Sequence, residues 1–155
     1  MGLVLAGTAR AETPQADQQF AEKAAAGGMA EVEMGKLAGK NGQSADVKKF
    51  GKKMVTDHTK ANNELKKLAK KKSLNLPTAM TADQKTTYDR LAAMKGADFD
   101  TAYMDAMVKD HDEDVADFKK EADGGQDADL KAWAGKTLPV LQTHDDMAHK
   151  SPAAK

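Results

Sequence analysis

The sequence predicts an all-α fold: four long helices in a bundle, with a short crossover helix between the second and third. Apolar residues recur at alternating three- and four-residue spacing over long stretches. Aromatic residues make up only 5% of the chain and runs of β-branched residues are few, which leaves little material for a sheet. Strong turn signals cluster at 41–43, 73–80 and 123–126 and divide the chain into bundle-length pieces.

The first helix is expected from Asp17 to Lys40, with Phe20, Ala24, Gly27, Met34 and Ala38 on one face. Glu31 shares that stripe, whereas Glu33 shares the adjoining one with Ala26, Ala30 and Leu37, so either glutamate can face inward. Gly27-Gly28 costs about 1 kcal/mol per glycine in a helix interior relative to alanine and points to a close neighbour. Asn41-Gly42 ends the helix.

Ser44 caps a second helix running to about Lys72. Its outer face carries lysines from Lys48 to Lys72, read as a solvated face balanced by the acidic third long helix. Thr81 and Gln84 have capping-box spacing and open the short helix, which reaches about Met94. The third long helix spans Ala97 to about Ala122. Asp127 caps the fourth, which reaches His149 and is expected to kink at Pro139. With the short helix as a crossover, the second and third long helices run parallel, as in ferritin-like folds.

The N-terminus reads differently. Leu3-Val4-Leu5-Ala6-Gly7 is apolar, and Ala9-Arg10-Ala11 before Glu12 has the small-x-small form of a signal-peptidase site. Residues 1–11 are therefore read as the remnant of a secretory signal, 12–150 as one helical domain and 151–155 as a disordered tail. The expected location is periplasmic or secreted. Lysine plus arginine and aspartate plus glutamate both number 24, so no net charge argues for nucleic acid. No run approaches the roughly 20 apolar residues of a membrane span. The absence of cysteine excludes disulfides, thiolate ligands and a lipoprotein anchor. The sequence specifies neither a protein partner nor an oligomeric state.

Met54-Val55-Thr56-Asp57-His58 recurs as Met107-Val108-Lys109-Asp110-His111, and both histidines lie on apolar stripes. His58 follows Val47, Gly51 and Met54 and precedes Ala61, Leu65 and Leu68. His111 shares its stripe with Met104, Val108, Val115 and Phe118. His144 shares one with Leu130, Ala134, Thr137, Leu141 and Ala148. At about 1.5 Å per residue from the turns, His58, His111, Glu31 and Glu33 fall within about 10–11 Å along the axis. His144 lies level with Glu33 to within about 3 Å. Three imidazoles and a carboxylate suit Zn²⁺, Cu²⁺ or Fe²⁺. Asp57 and Asp110, about 100° around the helix from their neighbouring histidines, are placed to orient a histidine on another helix. The competing reading is a metal-free structural or stress-related interaction protein, its histidines, aspartates and glutamate forming a buried hydrogen-bond network.

Met54, Met104 and Met107 flank the histidine stripes and are read as core filler. His149, with His144, Asp145 and Asp146, is read as a loose surface group. No Gly-x-Ser-x-Gly, His-Glu-x-x-His or phosphate-cradling glycine loop is present, and the sequence marks no catalytic residue.

Residues 28–38 (Gly28-Met29-Ala30-Glu31-Val32-Glu33-Met34-Gly35-Lys36-Leu37-Ala38), Met54 to His58 with Asn62 and Leu65, Gly96 to Tyr103 with Asp110-His111, and Thr137-Leu138-Pro139 with His144 form an ordered set. Together they resemble the bacterial ferritin-like group catalogued as domain of unknown function 4142, over about residues 17 to 149. The resemblance implies a helical bundle in exported proteins, with no established substrate, and it marks Glu31, Glu33, Asp57, His58, Asp110, His111 and His144. Di-iron ferritin sites use Glu-x-x-His on two helices. Here the residues three before His58, His111 and His144 are Val55, Val108 and Leu141, so ferritin-type iron oxidation is not expected.

Overall fold

The computed structural model describes residues 13–154. Its helices are α1 (Gln15–Asn41), α2 (Ala45–Lys72), α3 (Ala82–Ala92), α4 (Gly96–Gly124) and α5 (Ala128–His149). The signal remnant expected over 1–11 lies outside the described residues.

The helix ends are those the capping chemistry dictates. Ser44 accepts from the Asp46 N–H, and Asp127 from the N–H groups of Asp129 and Leu130. Thr81 and Gln84 bond reciprocally, Thr81 Oγ1 accepting from the Gln84 N–H and Gln84 Oε1 from the Thr81 N–H. Gly42 ends α1 for a reason other than a left-handed cap. Its φ is −66°, and an added Cβ would stand 2.7 Å from the Ala38 carbonyl and 3.0 Å from Asp100 Oδ1. Gly96, by contrast, has φ +65° at the start of α4.

Two carboxylates bind the bundle's ends together. Asp100 of α4 accepts from the backbone N–H groups of Gln43 and Ser44, at 3.0 and 2.7 Å, fixing the start of α2 beside the start of α4. At the opposite end, Asp17 of α1 accepts from the N–H groups of Gln126 and Asp127. Helices α2 and α4 therefore run parallel, and residues 73–95, with α3, carry the chain back along the bundle. α1 packs chiefly on α2 and α4 chiefly on α5, with α1 also touching α4 and α2 touching α5. Thus α2 and α4 stand on a diagonal.

That diagonal corrects the expectation about charge. The acids of α4 do not balance the lysines of α2. Lys71 and Lys72 pair with Asp127 and Asp129 at the start of α5, and Glu64 of α2 accepts from Lys136 of α5. The α4 acid Asp117 reaches Lys23 of α1 instead, at 2.5 Å. At the C-terminal end, Ala153 and Ala154 pack against the apolar core.

The core divides into two apolar clusters. One gathers Met34, Val47, Phe50, Met54, Phe99, Tyr103, Met104, Met107 and Ala148. The other gathers Ala21, Leu65, Phe118, Leu130, Trp133 and Leu141, with Trp133 only 8% exposed and 5.3 Å from Phe118. On α2, α4 and α5 a polar residue lies in sequence between the helix's contributions to the two, His58, His111 and His144, and on α1 Glu31 directly follows Ala30 near the junction of the two. Helix periodicity and the two turns' registers bring those four residues into one polar layer at mid-bundle.

Candidate metal centre

The ring centroids of His58 and His111 are 5.7 Å apart, and each lies 5.3 Å from that of His144. Each histidine offers a nitrogen within 4.8 Å of those of the other two. All three side chains are buried; His111 and His144 have no exposed surface. Phe50 closes one side, its ring 6.5 Å from those of both His111 and His144.

Hydrogen bonds on the far side of two rings fix which nitrogen keeps its lone pair. His111 Nδ1–H donates to the Met107 carbonyl at 2.9 Å, one turn back on its own helix, which leaves Nε2 as an acceptor. His144 Nε2–H donates to Asp57 Oδ2 at 2.8 Å, leaving Nδ1. His58 Nδ1 stands 2.8 Å from Glu31 Oε2, out of line for a hydrogen bond, and its Nε2 is unpaired. His58 Nε2, His111 Nε2, His144 Nδ1 and both Glu31 oxygens are thus buried without a hydrogen-bond partner. Buried polar atoms are paired in the great majority of cases, so such a concentration calls for a partner, whether a cation, protons or a bound water.

Glu31 is the inward glutamate, 2% exposed, with Oε2 on His58 and Oε1 3.4 Å from His111 Nε2. Glu33 lies on the outer face, where Lys36 holds it at 2.6 Å, and it has no part in the layer. Asp57 accepts from the ring of His144 on the neighbouring helix. Asp110 does not. It stands beside a small recess with Asp114, and its electrostatic effect falls on Glu31. His149 binds Asp112 and Asp145 in a separate, exposed group.

Electrostatics follow from burial. Desolvation depresses the imidazolium forms, lowering His58 to about 4 despite the raising influence of Asp114 and Asp57, and His144 to about 3 despite Asp57. Desolvation raises Glu31 to about 7, with His111 opposing and Asp110 adding to it. Burial also lifts Asp110 to about 6 and Asp114 well above the usual carboxylate range, Glu31 adding to the latter. Burial pushes Asp57 upward too, but bonds from Lys53 and His144 carry it below its ordinary value.

Sequence reasoning missed Phe50, Tyr103 and Asp114. Phe50 follows Val47 by three residues and was visible as a stripe position. Tyr103 is wholly buried, with an unpaired hydroxyl. Asp114 carried no signal, being one acid among many on α4.

The model of the family described as a domain of unknown function, DUF4142, matches residues 3–150. The chain belongs to this family. No curated protein matches the DUF4142 chain. Among solved structures, a DUF305 fragment from Deinococcus radiodurans superimposes with a TM-score of 0.78 at 7% identity, covering 90% of this chain and 96% of that one. A DUF305 protein from Streptomyces coelicolor gives 0.73 at 14% identity, over 86% and 88%. CopM in its Cu(I)-bound form gives 0.71 at 14% identity, over 86% and 93%. At such identities the likeness concerns the fold.

Proposed function

We propose that this DUF4142 protein is an exported bundle that binds one metal ion at mid-core through His58 Nε2, His111 Nε2, His144 Nδ1 and a Glu31 oxygen. The observation that carries the reading is the set of unpaired donor atoms. A metal-free hydrogen-bond network would pair these atoms with one another. Here two rings are oriented from behind, by the Met107 carbonyl and Asp57, and their lone pairs are left facing the centre. That is the arrangement by which proteins present imidazoles to a metal.

Three neutral nitrogens and one carboxylate suit Zn²⁺, Cu²⁺ or Fe²⁺. The nearby carboxyls of Asp110 and Asp114 favour a doubly charged ion over a singly charged one. CopM supplies a precedent for metal on a bundle of this shape. Export rests on the apolar Leu3–Gly7 run and Ala9-Arg10-Ala11.

Elemental analysis of untagged protein from its native compartment tests the reading, with about one equivalent of metal expected. Mass spectrometry of the same material should place the N-terminus near Glu12. Protein that holds no metal, and takes up none of the three ions, would overturn the assignment.

A further inference from the structure

The histidine layer is buried, so an ion must reach it through the wall of the bundle. Two recesses approach it from different sides. One, of about 50 Å³, lies between α1, α3 and α4 and is lined by Gly27, Glu31, Gln84, Asp110, Glu113 and Asp114, with Lys23 at its edge. The other, of about 90 Å³, lies between α2 and α5 and includes Asp57, Glu64, Lys60 and Lys136.

We propose that the recess between α1, α3 and α4 is the loading route for divalent cations, with Glu31 as the acceptor that passes the ion from Asp110 and Asp114 to the histidines. The proposal rests on the metal-binding reading above and adds the path. Glu31 is the decisive residue. It lines the recess, is 2% exposed, has both oxygens unpaired, and touches His58 and His111. One side chain therefore belongs to both the recess and the centre. The lysine at the edge, Lys23, is paired chiefly with Asp117, at 2.5 Å, and the recess's three acids, Asp110, Glu113 and Asp114, outnumber it. On the α2–α5 side Lys60 lines the recess, Lys136 already holds Glu64, and Asp57 is engaged by Lys53 and His144, so neither carboxylate there is left open to a cation.

The backbone keeps the route open. A Cβ on Gly27 would meet nothing closer than Gln84 Nε2 at 3.9 Å and Asp114 Oδ1 at 4.0 Å. No packing contact accounts for that glycine, in contrast to Gly28, whose Cβ would stand 2.1 Å from Asn62 Oδ1. Gln84 reaches the recess from the first turn of α3, where its capping bond to Thr81 holds it. The crossover helix thus forms one wall of the passage.

Stopped-flow mixing of full-length apoprotein with Zn²⁺, followed by a competing chelator, separates association from dissociation. Gly27→Leu fills the recess without replacing a ligand, so both rates should fall at least about tenfold while the equilibrium affinity stays near wild type. Asp110→Asn with Asp114→Asn replaces the carboxyl oxygens that relay the ion to Glu31 by weaker amide ligands and should slow association by about 10-fold or more. Should the leucine variant fail to fold, the asparagine pair carries the test. Wild-type association rates in these variants would overturn the proposed route, the ion then entering elsewhere. A wild-type protein that binds no Zn²⁺, Cu²⁺ or Fe²⁺ would remove the metal site and the route together, a different result from a site that loads at an unchanged rate.

Discussion

His111 Nε2 stands 3.4 Å from Glu31 Oε1, acceptor facing acceptor, in the buried middle of the bundle. His111 spends its ring N–H on the Met107 carbonyl, so the side facing Glu31 carries a lone pair. Two lone pairs are stable at that separation only with a positive charge or a proton between them. Burial has already raised the Glu31 carboxyl to about 7, so in the metal-free protein a proton fills that role near neutrality.

Metal uptake should therefore release a proton. At pH 6, below the Glu31 value of about 7, binding of one Zn²⁺ should expel close to one proton, and by about pH 8.5 the release should have vanished. Calorimetry in buffers of different ionisation enthalpy measures the count. Proton release that is independent of pH over this interval would remove Glu31 from the site.

The metal-free protein should be most stable at mildly acidic pH. His58 and His144 fall from an ordinary 6.5 to about 4 and about 3, so their contribution is complete above 6.5 and is lost as pH falls through those lower values. Glu31 moves the other way: with a folded value of about 7 against an ordinary 4.5, its contribution is complete below 4.5 and lost as pH rises through 7. Metal holds Glu31 ionised and should shift the optimum upward. Urea midpoints measured from pH 4 to 9, with and without Zn²⁺, would show both limbs; identical profiles would contradict the coupling.

The ring of His144 depends on a single carboxylate, Asp57. Asp57→Asn should weaken metal affinity by about 10- to 100-fold, the usual effect of losing a partner that orients a ligand. Chelator competition reads this directly. Glu33→Gln, on the outer face beside Lys36, should leave affinity unchanged.

Helix limits were legible because Ser44, Thr81 with Gln84, and Asp127 are local signals that act through bonds to their own backbone. The histidine layer was legible for the same kind of reason: at His58, His111 and His144 a polar residue interrupts an otherwise apolar stripe. What depended on neighbours was not. Glu31 and Glu33 both lie beside apolar stripes, and only the position of α4 shows which is buried. Lysines on α2 were assigned to acids on α4 because charge balance carries no direction, whereas the diagonal placement lets Lys71 and Lys72 reach the start of α5. Asp114 became significant only once Gly27 and Gln84 were seen to leave a recess around it.

Glycines separate packing from function. A Cβ on Gly51 would stand 2.7 Å from the Gly35 carbonyl and 2.4 Å from Ala38 Cβ, rigid parts of α1. Gly51→Ala should therefore destabilise by about 1–3 kcal/mol through overpacking of α1 on α2. Gly27→Ala meets only ordinary contacts and should be neutral or stabilise by up to about 1 kcal/mol, since alanine favours helix. Thermal melts of the two variants check the contrast, and equal losses would contradict it.

Thermal unfolding of the wild type, His58→Ala, His111→Ala and His149→Ala with added Zn²⁺, Cu²⁺ and Fe²⁺ tests the central claim most directly. Only the folded state holds the site, so a binding ion should raise wild-type stability with the logarithm of its free concentration, by about 2.7 kcal/mol at 100 times Kd. His149→Ala, in the exposed group with Asp112 and Asp145, should keep that response, while His58→Ala and His111→Ala should lose it. A metal-free wild type whose melting ignores all three ions would contradict the account, as would a response that His149→Ala alone abolishes.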